Sequence, residues 1–314
     1  MSAIFLSTLN PVMTMLLFIV IGFALGKLKF FPDNADATLS KLAGLVISPA
    51  MTILTFSKYC TVESLGKNLT MLLVSAAVCL TAVGIACLLG GIFSRDGYRK
   101  NVYRYALAFS NSGYMGNPLV LAILGEQGLY LYLLFCIPIT LMIYIWGVNI
   151  LIPREKGQKF SWKQLMNPCI IGVIIGMFLG LTGIGGRLPN FVTGTLQGLS
   201  DTLGPIAMLL TGLVIAKFNP LKIVKKPAVY VATALRLLVL PAVFLGALLL
   251  LKVDSTTVKL CLFAYATPLG LNTVVFPLAY GGDPSTGASM ALVSHVLCVA
   301  TIPLLYSILS LLLT

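Results

Sequence analysis

"SNSGYMGNPL", residues 110–119, sits inside a run apolar enough to cross a membrane, yet five of its ten residues are Asn, Gly or Pro. Those types punctuate turns and interrupt helix interiors. Whether the stretch is a loop between two elements or a break within one decides the architecture. The chain has 314 residues, of which 58% are hydrophobic and only 10% charged, and its mean hydropathy is +1.00. A soluble protein of this size needs far more charge to cover its surface. Apolar stretches long enough to span hydrocarbon recur along the whole length. The chain therefore reads as an all-α polytopic membrane protein, and residues 110–119 as a break at bilayer depth.

Ten spans are expected, near 4–26, 38–57, 69–93, 103–124, 128–152, 168–186, 190–217, 228–251, 257–280 and 285–313. Fifteen Lys and Arg fall in one alternate set of connections, among them Arg95, Arg99, Lys100 and Arg104, and five fall in the other. The richer set belongs in the cytoplasm. Both termini are then extracytoplasmic in a multi-pass plasma-membrane (cell inner membrane) protein, and the polar connection "PREKGQKFSWKQLMN" (153–167) is cytoplasmic. The same loops account for the net charge of +12, so no nucleic-acid partner is expected. The first apolar segment begins almost at Met1 without a basic leader or a small-residue cleavage site, and reads as a retained helix. The seven cysteines show no C-x-x-C spacing and mostly lie in apolar runs, as buried small hydrophobes rather than a metal or redox site.

The two halves echo each other at a shift of about 157 residues. Asn10-Pro11 opens span one and Asn167-Pro168 span six; Pro49 interrupts span two and Pro205 span seven; Glu126 follows span four and Asp283 span nine. With five spans per half, the second half lies upside down relative to the first. That gives a first five-helix repeat over 1–152, a linker over 153–167 and a second repeat over 168–314. An inverted repeat with interrupted helices in matching positions is the architecture of secondary transporters, with substrate bound near the midplane. A channel using the same breaks as a filter is the rival reading.

In span four the break starts roughly 12 Å from the cytoplasmic end, approaching the middle of a ~30 Å core. "ATPLGLNTVVFP" (266–277) breaks span nine at a similar depth from the other side. Backbone irregular at that depth must be packed in protein or line a wet cavity. Asn117-Pro118 and Thr267-Pro268 each read as an N-cap followed by proline in the first helical turn. The restarted half-helices would offer free N–H groups and positive dipole ends to an anion. Gly116, Asn111, Asn117, Asn272 and Thr273 complete the expected binding set; the alternative is that they cap and stitch their own helices.

Two further polar groups lie within spans. Arg236 in span eight would attract an anion, hold a carbonyl-rich break, or snorkel to the surface. His295, the single histidine, would carry a proton in a coupled cycle or be hydrogen-bonded within the bundle. Glu126 and Asp283, beside Gly125 and Gly282, suit helix boundaries. No G-x-S-x-G, H-E-x-x-H or Walker A pattern occurs, so the chain does not read as an enzyme or an ATP-driven pump.

The stretch N-x-x-x-M-G-x-P-L (Asn111, Met115, Gly116, Pro118, Leu119), the Arg236…Pro241 span and the run from Pro268 through Asn272 to Asp283 resemble the auxin efflux carrier (PIN-like) family. The resemblance covers essentially the whole length, in the form of a short prokaryotic-type member. It implies a fold like that of bile-acid/sodium symporters, with spans four and nine crossing at their breaks. Residues 1–57 and 168–217 would form a scaffold, and 69–152 and 228–314 a mobile element moving substrate elevator-fashion. The substrates it implies are small organic carboxylates, auxin-like or dicarboxylates such as malate and malonate, with Asn111 at the position of the family's carboxylate-binding asparagine. No cofactor is expected. Coupling to H⁺ or Na⁺, as in a sodium-coupled bile-acid-type symporter, stays open, as does a homodimer in the lipid bilayer.

Overall fold

The computed structural model describes residues 2–152, 167–219 and 226–313. The expected linker therefore lies, apart from Asn167, outside the described residues, as do Lys222 and Lys225. In chain order the main helices are α1 (Ser2–Lys27), α2 (Ala35–Tyr59), α3 (Leu69–Phe93), α4 (Gly97–Ala108), α5 (Ser112–Phe135), α6 (Ile137–Leu151), α7 (Pro168–Leu181), α8 (Asn190–Ala216), α9 (Pro227–Leu250), α10 (Ser255–Ala266), α11 (Asn272–Tyr280) and α12 (Ser285–Leu312). Seven of them, α1, α2, α3, α5, α8, α9 and α12, are long and apolar enough to cross a membrane, and α6 and α7 are apolar but shorter. No strand occurs among the described residues; extended pairing is confined to a bridge between Ser110 and Leu269. The fold is that of a helical, multi-pass membrane protein.

Pro49, Pro118 and Pro241 shape their helices without ending them. A proline removes an N–H donor, and its ring clashes with the carbonyl one turn back. Pro49, Pro118 and Pro241 each stand two residues beyond a π turn, at Ala43–Ile47, Ser112–Gly116 and Leu235–Val239. The wider turn moves that carbonyl aside, so the helix continues with a bulge. A further π turn, Ile143–Gly147, is followed by Asn149, whose side-chain amide donates to the Ile145 carbonyl at 2.6 Å.

Within α5, Gly125 adopts φ 73° and ψ −173° and divides the helix into two arms. Only glycine takes that backbone conformation readily. The sequence expected one span to end at 124 and the next to begin at 128, and the division falls between them.

α1 lies along α8, α2 along α7, and α3 along α4, while α12 packs on α1 and α9. Phe56, Tyr105, Phe109, Tyr132, Phe263 and Tyr265 are buried in one apolar core. On α3 the outward residues Leu73, Leu80, Leu88 and Ile92 are exposed, the apolar belt a helix presents to lipid.

The two expected helix restarts are displaced. Helix resumes at Ser112, with Asn111 in the preceding position, and Asn117 is already helical with Pro118 in the turn beyond it. Thr267 ends α10 in an extended conformation, and α11 begins at Asn272 after Leu271. The π turn lets Pro118 sit inside a helix, so its position does not mark the first turn. At Pro268 the missing N–H stops α10 instead of starting its successor.

Candidate functional site

α4 ends at Ala108 because Phe109 turns extended (φ −125°, ψ 140°), and α10 ends where Thr267 does the same (φ −68°, ψ 152°). The two extended segments run antiparallel across each other. Ser110 bridges Leu269, and the Asn111 N–H donates to the Pro268 carbonyl at 2.7 Å. The surrounding side chains meet other groups the breaks strand. The Ser110 hydroxyl donates to the Ala264 carbonyl, the Tyr132 hydroxyl donates to the Ser112 carbonyl at 3.1 Å, and the Ser294 hydroxyl of α12 accepts the Leu269 N–H at 3.0 Å. Satisfied within protein, this irregular backbone is tolerable deep in the fold.

Beside the crossover lies a cavity of about 280 Å³, at the lower end of the range for small-molecule sites. Ser48 and Thr52 of α2, Thr140 and Tyr144 of α6, and Asn167 and Cys169 at the start of α7 line it, together with Asn111, Asn117 and Asn272 from the two breaks. No Asp, Glu, Lys, Arg or His side chain lines it among the described residues. The first residues of both restarts, Ser112 and Gly113 of α5 and Leu271 and Asn272 at α11, border the same space. A helix's first N–H groups have no partner inside the helix and carry its positive dipole end. Two such ends facing one small cavity, with three carboxamides between them, form a neutral-residue cradle for a negative group.

The sequence-expected residues divide by what they touch. The Asn272 amide donates to the Tyr105 hydroxyl at 2.8 Å. The Thr273 hydroxyl is committed to the Gly270 carbonyl at 3.1 Å, and Thr273 does not line the cavity. Thr267 is fully buried away from the cavity, its hydroxyl without a partner among the described residues. Pro268 acts through its carbonyl. Gly116 is packed so closely against Tyr132 that a Cβ there would collide with the phenol hydroxyl, and Pro118 closes the next turn. No cluster of three metal-ligating side chains occurs among the described residues.

His295 lies behind Asn111. Its Nδ1 is 2.7 Å from the Ala291 carbonyl, and its Nε2 is 3.5 Å from the Asn111 amide nitrogen. The carbonyl can only accept, so Nδ1 carries the proton and Nε2 is left as an acceptor for Asn111. Arg236, in the π turn of α9, is fully buried in protein and away from the cavity. Snorkelling to the surface is ruled out for it.

Ser110, Tyr132, Ser294 and the wall residues on α2, α6 and α7 were not singled out by sequence. Serine, threonine and tyrosine inside apolar helices usually bond their own turn, as Thr52 does to the Ser48 carbonyl at 2.9 Å. Nothing local in the sequence distinguishes the few that reach another helix.

At the other end of α2, Glu126 accepts from both the Lys58 ammonium and the Tyr59 hydroxyl, the latter at 2.6 Å. The Ser64 hydroxyl donates to the Tyr130 hydroxyl at 3.0 Å alongside. These contacts tie α2 and the segment after it to the second arm of α5.

The profile of a family described as membrane transport protein matches residues 7–306. A relative from Methanothermobacter thermautotrophicus, named an uncharacterized transporter, is 23% identical over 307 residues, covering 96% of this chain and 98% of the relative.

Proposed function

This chain belongs to the membrane transport protein family, the auxin efflux carrier (PIN-like) family its sequence resembles, and on that premise we propose that it is a secondary carrier of small organic carboxylates. It is a transport protein and not an enzyme. The observation that carries the substrate class is the convergence of two helix N-termini and Asn111, Asn117 and Asn272 on one small cavity. A carboxylate there takes hydrogen bonds from amides and backbone N–H groups, and charge-assisted bonds of this kind are the stronger ones. A four-carbon or smaller dicarboxylate such as malonate suits the volume.

The architecture in this reading has ten crossings. α4 with the first arm of α5 makes the fourth, the second arm with α6 the fifth, and α10 with α11 the ninth. The fourth and ninth are the matched broken members of an inverted repeat of five and five. α1, α2, α7 and α8 form the scaffold, and the remaining helices form an element that carries the crossover past it as an elevator. Basic connections lie in the cytoplasm of a plasma-membrane protein, which places the start of α7 on that side. The cavity extends to Asn167 and Cys169, so the conformation is inward-facing, with the Lys58–Tyr59–Glu126 contact closing the outer side.

The test is counterflow of labelled malonate in proteoliposomes. The wild-type carrier is expected to exchange, and Asn111→Ala to lose uptake about 10- to 100-fold, the cost of one hydrogen bond to a charged group. Uptake at the wild-type level in that variant removes Asn111 from the site. Single-channel currents without counterflow would make the same breaks a channel filter.

A further inference from the structure

Arg236 is the largest fully buried side chain of the described residues, and its Nε, Nη1 and Nη2 have no hydrogen-bond partner among them. Burying a guanidinium without a pair is costly enough that a sequence does not retain it for packing alone. Its surroundings supply what offsets the cost. The π turn that carries it packs against α10, α4 and α12. Its guanidinium carbon stands 5.7 Å from the centre of the Tyr265 ring, one residue before the end of α10. Tyr132 also ties α10 to the crossover, its hydroxyl 3.1 Å from the Ser112 carbonyl and 3.5 Å from the Phe263 carbonyl.

α4 and α10 both terminate at the crossover, at Ala108 and Ala266. Each C-terminal end carries about half a negative elementary charge. Two such ends brought together amount to about one negative charge in a dry interior, which one guanidinium balances. The N-terminal ends of the restarts face the cavity instead. The crossover is thus polarised, with its positive ends toward the cavity and the negative end of α10 beside Arg236 at Tyr265, while the π turn of Arg236 also packs on α4.

We infer that Arg236 is the resident cation of the crossover, a positioning residue whose fixed charge neutralises the C-terminal ends of α4 and α10. The electrostatic role itself rests on the geometry of Arg236 alone.

The full chain, purified in detergent, is melted in sodium chloride and in choline chloride of equal strength, as wild type and as Arg236→Met and Arg236→Lys. The wild-type midpoint is expected to be the same in both salts. Arg236→Met is expected to melt about 5 °C lower, since it frees two helix ends from their counter-charge, and Arg236→Lys to keep most of the wild-type midpoint. A methionine variant as stable as wild type would mean the charge is only tolerated, the usual outcome when an idle buried ion is replaced by an apolar side chain. Equal losses in both variants would mean shape and not charge is required. A wild-type midpoint that rises in sodium would mean a cation is still missing. Any of the three overturns the inference. If Arg236→Met does not fold, the lysine variant and the wild-type salt comparison decide. A parallel arm adds malonate to wild type and Asn111→Ala: failure there counts against the carboxylate site and leaves the cation arms standing.

Discussion

Asn111 holds its place by its backbone and does its chemistry with its side chain. The crossover bond to Pro268 uses the Asn111 N–H, so Asn111→Ala keeps that bond and tests the carboxamide alone. The carboxamide in turn is addressed from behind by His295, whose Nε2 accepts at 3.5 Å because Nδ1 is committed to Ala291 at 2.7 Å. Residues acting through one another are non-additive. We therefore expect His295→Ala to lower malonate uptake, and to lower it no further when combined with Asn111→Ala. Additive losses in the double variant, measured as initial uptake rates, would show that His295 acts elsewhere. At this scale the sequence was legible where polarity and backbone punctuation coincide, as at Asn111, Asn117 and Asn272. It was illegible at Tyr132 and Ser294, whose roles arise from residues 20 and 25 positions away. Asn111 itself gave no local sign of its neighbour His295, 184 positions on.

The elements show why the breaks were visible in the sequence and the restarts were not. Gly, Asn and Pro mark where a helix cannot run regularly, and both interruptions fall within the stretches so marked. The course of the chain beyond a break depends on how it absorbs a proline. At Pro118 it widens one turn, and at Pro268 it stops the helix. Those outcomes differ through tertiary contacts, the bridge of Ser110 with Leu269 above all, and no local composition encodes them. Gly125 is the element-scale feature most open to a clean test. No atom lies within 4 Å of where a Cβ would stand, so there is room for a methyl group, but the backbone has φ 73°. Gly125→Ala should therefore destabilise through strain alone, by about 1–3 kcal/mol. The melting midpoint of the variant checks this; an unchanged midpoint would mean the two arms of α5 straighten into one helix at no cost.

Across the whole molecule, the described ion pairs sort themselves by the proposed division into scaffold and mobile element. Lys217–Asp36 joins α8 to α2, within the scaffold; Arg99–Asp283 joins the start of α4 to the α11–α12 turn, within the mobile element; Lys67–Glu63 stays in one short helix. Among the described residues, Lys58–Glu126 is the ion pair that ties the end of α2 to α5, and so crosses from one group to the other. It stands at the end of α2 remote from the cavity's reach to Asn167, and in the proposed elevator cycle it is the contact that would release before the crossover moved outward. Both partners are about half exposed, with side-chain accessibilities of 53% and 46%, so water screens the pair and its strength is modest, in the range of about 0.2–1 kcal/mol. That is enough to shift a two-state equilibrium about 1.4- to 5-fold. Cys169, on the cavity wall beside Ser48 at 3.4 Å, would report the proposed inward-facing state. In a variant keeping only this cysteine, Glu126→Gln should slow Cys169 labelling by an impermeant maleimide from the proposed cytoplasmic side, by at most about five-fold. Exchanging the pair, Lys58→Glu with Glu126→Lys, should restore the rate. Labelling that is indifferent to both changes would mean the outer closure rests on the apolar contacts of Phe56 and Tyr59 with Tyr130, and that the ion pair takes no part in holding the carrier inward.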